Sequence, residues 1–230
     1  MDNVEIANID QDKLKKNKPI LIRYPFLRAL FIFIRSWIIT LAILLIIYFA
    51  WLRDWQMTWG ATAEEVNRYM VGDELLDNPE FNTTRAVEIN APPKKVWPWI
   101  VQMGYKRGGL YNFDQLDNAG IPSADSIIPE YQDLNVGVLI LPLLQVVQIE
   151  TQKSMLWVFL KGAGGWENAT WSWGLYKTEN GNTRLVSRLK QKYTSNSIQE
   201  IFMWRFQEVT EIFMMRTCLL GIKKRVEENN

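Results

Sequence analysis

Residues 83–109 (TTRAVEINAPPKKVWPWIVQMGYKRGG) constrain the fold of this chain more than any other stretch. Thr84, Ala86, Glu88 and Asn90 alternate with Arg85, Val87 and Ile89, the period-two pattern of a strand with one face wetted. Ala91-Pro92-Pro93 must then stop the ladder, because proline has no N–H to donate and fixes its own φ. Val96, Trp97, Ile100, Val101 and Met103 follow at the spacing of an apolar helical stripe, which Gly104 closes. The remainder of the domain has to receive this strand, corner and short helix.

Composition removes several kinds of chemistry. The 230 residues hold 26 Lys+Arg against 25 Asp+Glu, so the chain lacks the basic excess of a nucleic-acid binder. There is no histidine, which excludes imidazole acid–base catalysis, Ser-His-Asp and Cys-His dyads, and imidazole metal sites. Cys218 is the single cysteine, so no internal disulfide forms. No metal or other cofactor is expected. The eleven tryptophans must line a core, a pocket or a surface that meets lipid.

Residues 36–52 (SWIITLAILLIIYFAWL) form a charge-free apolar span between Arg35 and Arg53. Its length lies at the short end of the roughly 17–25 residues that cross a bilayer, and residues 31–34 lengthen it if Arg35 snorkels. Trp37, Tyr48 and Trp51 lie near its ends, where amphipathic rings favour the interface. We therefore expect a disordered basic arm over 1–28, a membrane anchor over 29–53, a linker with a short helix over 54–81, and a domain over 82–227. Lys13, Lys15, Lys16, Lys18, Arg23 and Arg28 precede the span, whereas only Arg53 and Arg68 follow it closely. That bias predicts a cytoplasmic N-terminus and a domain on the opposite side.

Within the linker, Thr62-Ala63-Glu64-Glu65 reads as a helix N-terminus that Gly72 ends. A second short helix is expected over 112–118. Strands are expected over 136–141, 144–150, 155–160, 169–178 and 183–193, six in all with the first. Asn180-Gly181 signals a two-residue type I′ turn. Finally, Phe202, Phe206, Val209, Phe213, Leu219, Leu220 and Ile222 recur at helical spacing over 198–225, a long amphipathic helix. The expected class is α+β: a curved antiparallel sheet of six or seven strands gripping that helix.

The chain resembles the START-like helix-grip (SRPBCC) superfamily, which includes polyketide cyclases, lipid-transfer domains and pathogenesis-related allergens. The resemblance covers about 59–227. It rests on Ile89-Asn90-Ala91-Pro92-Pro93 with Val96-Trp97, on Arg107-Gly108-Gly109-Leu110-Tyr111 with Asp114, and on Ala124-Asp125 with Pro129-Glu130. Trp171-Ser172-Trp173, Thr183-Arg184-Leu185 and residues 221–225 (GIKKR) extend it. It implies a cavity between sheet and helix that takes a lipid or other apolar small molecule. The fold hosts both carriers and enzymes, so a cyclase-like enzyme using carboxylate, Arg or Tyr groups stands as an alternative. A structural or interaction domain with a filled cavity is a third.

Six residues are the candidate ligand contacts: Arg107, Tyr111, Asp114, Trp171, Trp173 and Arg188. A type I′ turn pairs Thr178 with Thr183, so Trp173 falls opposite Arg188 and Trp171 opposite Lys190. These are then either an aromatic wall with a cation for an anionic headgroup, or a solvent-facing stripe of rings with basic partners. Arg107, Tyr111, Asp114 and Asp117 form the other cluster. It reads as a site with Asp114 as weak candidate base, or as a buried Arg–Asp pair pinning the Gly108-Gly109 turn. Glu167 beside Trp166 is a lid or a solvated turn, and Cys218 is a small core residue.

Overall fold

The computed structural model describes residues 24–162, 168–193 and 197–229. Residues 1–23 of the expected basic arm and the Trp166–Glu167 loop lie outside the described residues. Two compact units divide between Arg53 and Asp54. In the first, helix α1 (Pro25–Ile47) starts on a proline at its first turn and runs into a π-helical turn, Tyr48–Leu52; α2 (Arg53–Met57) spans the division. Among the described residues this 33-residue run, Pro25–Met57, is the one helix long and apolar enough to cross a membrane.

The second unit is α+β. Its sheet has six strands: β1 (Phe81–Ile89), β2 (Leu139–Leu141), β3 (Leu144–Glu150), β4 (Ser154–Phe159), β5 (Ala169–Lys177) and β6 (Thr183–Gln191). They lie in the order β1-β6-β5-β4-β3-β2, all neighbours antiparallel. β2 starts later than its apolar run predicts because Gly137, at φ +97°, interrupts the extended chain. Helix α4 (Pro93–Val101) follows the Pro-Pro corner as expected and buries Val96, Trp97, Trp99, Ile100 and Val101. Before β1 lies α3 (Ala63–Asn67), started by a capping box between Thr62 and Glu65. It ends well before Gly72, which instead opens a 3₁₀ turn, Asp73–Leu75. Of the second predicted helix only a single turn forms, α5 (Asp114–Asp117).

The outer face of β1 is covered through its middle and wetted only toward its ends, at Asn82 and Glu88. Phe81 and Ile89 pack in the main core, whereas Ala86 belongs to a small cluster with Val186 and Met70 on the other face. Along the middle of the strand the alternation is therefore one between two buried environments, because residues 59–75 cover the outside of the sheet there. Arg85, fully buried, donates from Nε to the Gln56 carbonyl at 2.7 Å and pairs through Nη1 with Glu211.

The last helix, α6 (Ile198–Glu228), buries Trp204, Glu208, Glu211, Met215, Cys218, Leu219, Ile222 and Val226, spaced three or four apart along one continuous face. Burial of a side chain such as Leu219 or Ile222, both at 0% exposure, is worth about 1.5–3 kcal/mol. The stripe read from sequence is correct in the second half and on the wrong side in the first. Phe202, Phe206, Val209 and Phe213 are exposed, and the inward phase of the buried half extends back through glutamates instead.

The β5–β6 turn also differs from expectation. Lys177 faces Thr183, with Thr178 N–H donating to the Asn182 carbonyl and Gly181 N–H to the Thr178 carbonyl. Gly181 takes φ +84°, so a type I turn followed by a left-handed glycine replaces the two-residue type I′ turn. The loop gains one residue. A one-residue change in register moves every partner to the opposite face.

Candidate functional site

That register separates the tryptophans from the arginine. Trp173 pairs with Ser187 and Trp171 with Leu189, and Arg188 lies opposite Ser172. Trp171, Trp173, Leu175, Leu185 and Leu189 share the inner face with the main core. With Trp157 of β4, the two tryptophans form a cluster with centroids 5.1 to 5.4 Å apart. Trp171 Nε1 donates to Ser187 Oγ at 2.8 Å. The rings are neither cationic wall nor solvent-facing stripe, since no basic residue shares their face in β6.

Arg188 projects from the outer face and is nonetheless 4% exposed. Its guanidinium donates to the carbonyls of Arg68 (2.8 Å), Glu65 (3.0 Å) and Val66 (2.8 Å), to Thr84 Oγ1 (2.8 Å) and to Asp73 Oδ2 (2.5 Å). It caps the carbonyls at the C-terminal end of α3, where a cation also complements the helix dipole. Arg184 beside it forms a two-pronged pair with Glu65 at 2.8 and 2.7 Å. These cations are fully occupied in holding residues 59–75 onto the sheet.

Arg107 and Asp114 do not pair. The loop folds back on itself through a Gly104–Gly109 bridge, which turns Arg107 toward the end of α4. There it donates to the carbonyls of Met103 and Val101, each at 3.2 Å, and of Tyr131 at 3.3 Å, with its guanidinium 4.5 Å over the Tyr131 ring. Asp114 accepts from Ser123 N (2.8 Å) and Ser123 Oγ (2.5 Å), tying the next loop to α5. Tyr111, at φ +57°, donates its hydroxyl to the Trp99 carbonyl at 2.9 Å, and burial pushes its pKa upward. Gly221 of α6 lies against it so closely that a Cβ there would sit 2.2 Å from the Tyr111 carbonyl oxygen. All three polar groups are therefore consumed by the fold.

Of the six predicted contacts, only Trp171 lines the cavity that lies between the sheet and α6. This cavity is about 260 Å³ and is walled by Leu110, Leu141, Phe159, Trp171, Leu189, Met214, Met215 and Cys218. Asn112, Asp117, Thr210 and Glu211 supply its polar atoms. Asn112 Oδ1, both carboxylate oxygens of Asp117 and Glu211 Oε1 are closed to solvent, and among the described residues none has a hydrogen-bond partner. Native interiors leave few such atoms. Burial raises the pKa of Asp117, opposed by the side-chain amide of Asn112 and its own backbone N–H and aided by the like charge of Asp114. Burial also raises Glu211, against the pull of Arg85. The Cys218 thiol is driven upward by burial and is inert as a nucleophile.

A larger cleft of about 410 Å³ lies on the other side of the sheet, lined by Tyr69, Glu74, Glu150, Lys153 and Tyr176 among others. Its polar groups satisfy one another: Tyr69 donates to Glu74 at 2.5 Å and Lys153 to Glu150 at 2.5 Å. The smaller cavity is the candidate site because its polar groups are unsatisfied.

Sequence reasoning placed Asp117 in a different cluster and missed Asn112 and Glu211. The missing signal was the phase of α6: counting back from Ile222 through Cys218 and Met215 by threes and fours puts Glu211 and Glu208 inward.

A sheet in the order β1-β6-β5-β4-β3-β2 with one long C-terminal helix on its inner face is the helix-grip arrangement that the sequence resemblance implies. No family model and no curated protein matches the chain. Among solved structures it is similar to the Polyketide_cyc-like protein Cgl2372 from Corynebacterium glutamicum, at 17% identity and TM-score 0.37 over 64% of this chain and 92% of that one. It is similar also to the Aha1 dimer from Colwellia psychrerythraea, at 16% identity and TM-score 0.35 over 64% and 96%. A third is Ara h 8.0201, at 15% identity and TM-score 0.37 over 65% and 98%. Scores at this level transfer no chemistry from those proteins to this one.

Proposed function

We propose that this protein is a bilayer-tethered binding domain that holds a small, mainly apolar molecule between its sheet and its last helix. The observation that carries the reading is the cavity of about 260 Å³, apolar over most of its wall and ending in acceptor atoms without partners. Its size falls just under the roughly 300–1,000 Å³ of typical small-molecule sites, which suits one short chain or ring system. A carrier needs no nucleophile or paired catalytic carboxylates, and the polar groups nearest the cavity that are in pairs are structural. The apolar helix Pro25–Met57 supports the tether. The excess of Lys and Arg before it favours a cytoplasmic N-terminus, with the binding domain on the opposite side.

Native mass spectrometry of the full chain released from lipid nanodiscs tests this. We expect a stoichiometric small molecule that a cavity-filling Cys218→Phe variant no longer carries. A wild-type protein that is empty, and that takes up no apolar probe, would contradict the reading.

A further inference from the structure

The cavity's polar atoms specify more than an apolar ligand; this inference rests on the cavity reading proposed above. The four unpartnered atoms on the residues that line it are acceptors, Asn112 Oδ1, Asp117 Oδ1 and Oδ2, and Glu211 Oε1, while Arg85 Nη2, behind Glu211, is an unpartnered donor. An ionised carboxylate offers no donor, so two of these residues cannot satisfy each other. Glu211 is 93% withdrawn from solvent by its 7% exposure, and only its other oxygen, Oε2, meets Arg85. The Arg85–Glu211 pair is electrically balanced. Asp117 is not: no cation pairs with it among the described residues, and its charged neighbour is Asp114, of like sign. Buried charge is ordinarily paired, because an isolated carboxylate out of water is costly. The site thus lacks one positive charge and several N–H or O–H donors, beside a wall of Leu141, Phe159, Trp171 and Leu189.

We propose that the ligand is a small amphiphile with a protonated amine head. Its ammonium donates to Asp117, Asn112 Oδ1 and Glu211 Oε1, and its apolar body lies along Trp171. An ammonium supplies three donors and the missing charge together, which a neutral alcohol does not. An anionic head would face two carboxylates, and Arg85, beside Glu211, is already in an ion pair with it.

The test uses the full chain in phosphatidylcholine nanodiscs, titrated with octylammonium, octanol and octanoate, with protein-free nanodiscs subtracted for partitioning. Charge-assisted hydrogen bonds exceed neutral ones enough that octylammonium should bind at least about tenfold tighter than octanol, with octanoate weakest. Asp117→Asn, which breaks no ion pair among the described residues, should abolish that preference, octylammonium binding falling about tenfold toward that of octanol. Equal binding of octylammonium and octanol, or preference for octanoate, in the wild type overturns the ammonium head while keeping the cavity. A preference that survives Asp117→Asn overturns the role of Asp117. No protein-dependent binding of any of the three overturns the cavity reading itself.

Discussion

The two faces of one hairpin treat their polar groups in opposite ways. On the outer face of β5–β6, Arg184, Arg188 and Lys190 reach Glu65, Asp73 and the carbonyls of α3, and each finds partners. Toward the inner side, Asn112, Asp117 and Glu211 line a cavity, and Asn112 Oδ1, both Asp117 oxygens and Glu211 Oε1 have no partner among the described residues. A buried cation with five bonds is a fastening, however much it looks like an anion site in the sequence. Unsatisfied acceptors beside a dry wall are the better sign of a ligand, since the fold gains nothing by leaving them open.

Substituting on either face should separate stability from binding. Arg188→Met removes the closer of Asp73's two basic partners and opens three carbonyls, and breaking a buried pair in this way costs about 3–5 kcal/mol. Chemical denaturation should show that loss, while uptake of an apolar probe per folded molecule stays at the wild-type level. Asp114→Asn should cost about 1–3 kcal/mol through the lost Ser123 contacts, again with uptake retained by the folded fraction. Loss of uptake in a folded Asp114→Asn protein would move the site toward the α4–α5 loop.

Acid should loosen the outer face in a defined window. Burial raises the Glu65 pKa, but Arg184 and the Thr62 N–H lower it further, for a net fall below the usual 4.5. A carboxylate with a depressed folded pKa contributes stability that is complete above the unfolded value and vanishes as the pH drops through the folded one. The melting temperature of wild type should therefore converge on that of Glu65→Gln only below pH 4.5. Asp117 has the reverse sign. Its folded pKa is raised, so its charged form is penalised at neutral pH, and Asp117→Asn should leave the melting temperature unchanged or slightly higher while altering ligand preference.

Much of the fold could be read in the chain. The β1–Pro-Pro–α4 corner, the bounds of β3 and the long last helix all follow from period, proline and apolar spacing, signals that are local. The site was less accessible because it depends on one turn and one helical phase. Asn180-Gly181 suits both a two-residue and a three-residue loop, and the choice decides whether Trp171 shares a face with Lys190 or with Leu189. In α6 the exposed Phe202, Phe206 and Phe213 form a stronger apolar pattern than the inward Trp204, Glu208 and Glu211. Hydrophobicity alone therefore chose the wrong side. Arg107 and Asp114 share a cluster in sequence, but backbone carbonyls and Ser123 satisfy them separately, which no spacing rule reveals.

The most direct test is photolabelling of the full chain in nanodiscs with a short alkyl diazirine amine, followed by peptide mapping of residues 54–230. Insertion concentrated in 110–117, 171 and 210–218, and competed by octylammonium, is the predicted result. Labels concentrated on 69–76 and 148–154, the walls of the outer cleft, would contradict a ligand held between the sheet and the last helix.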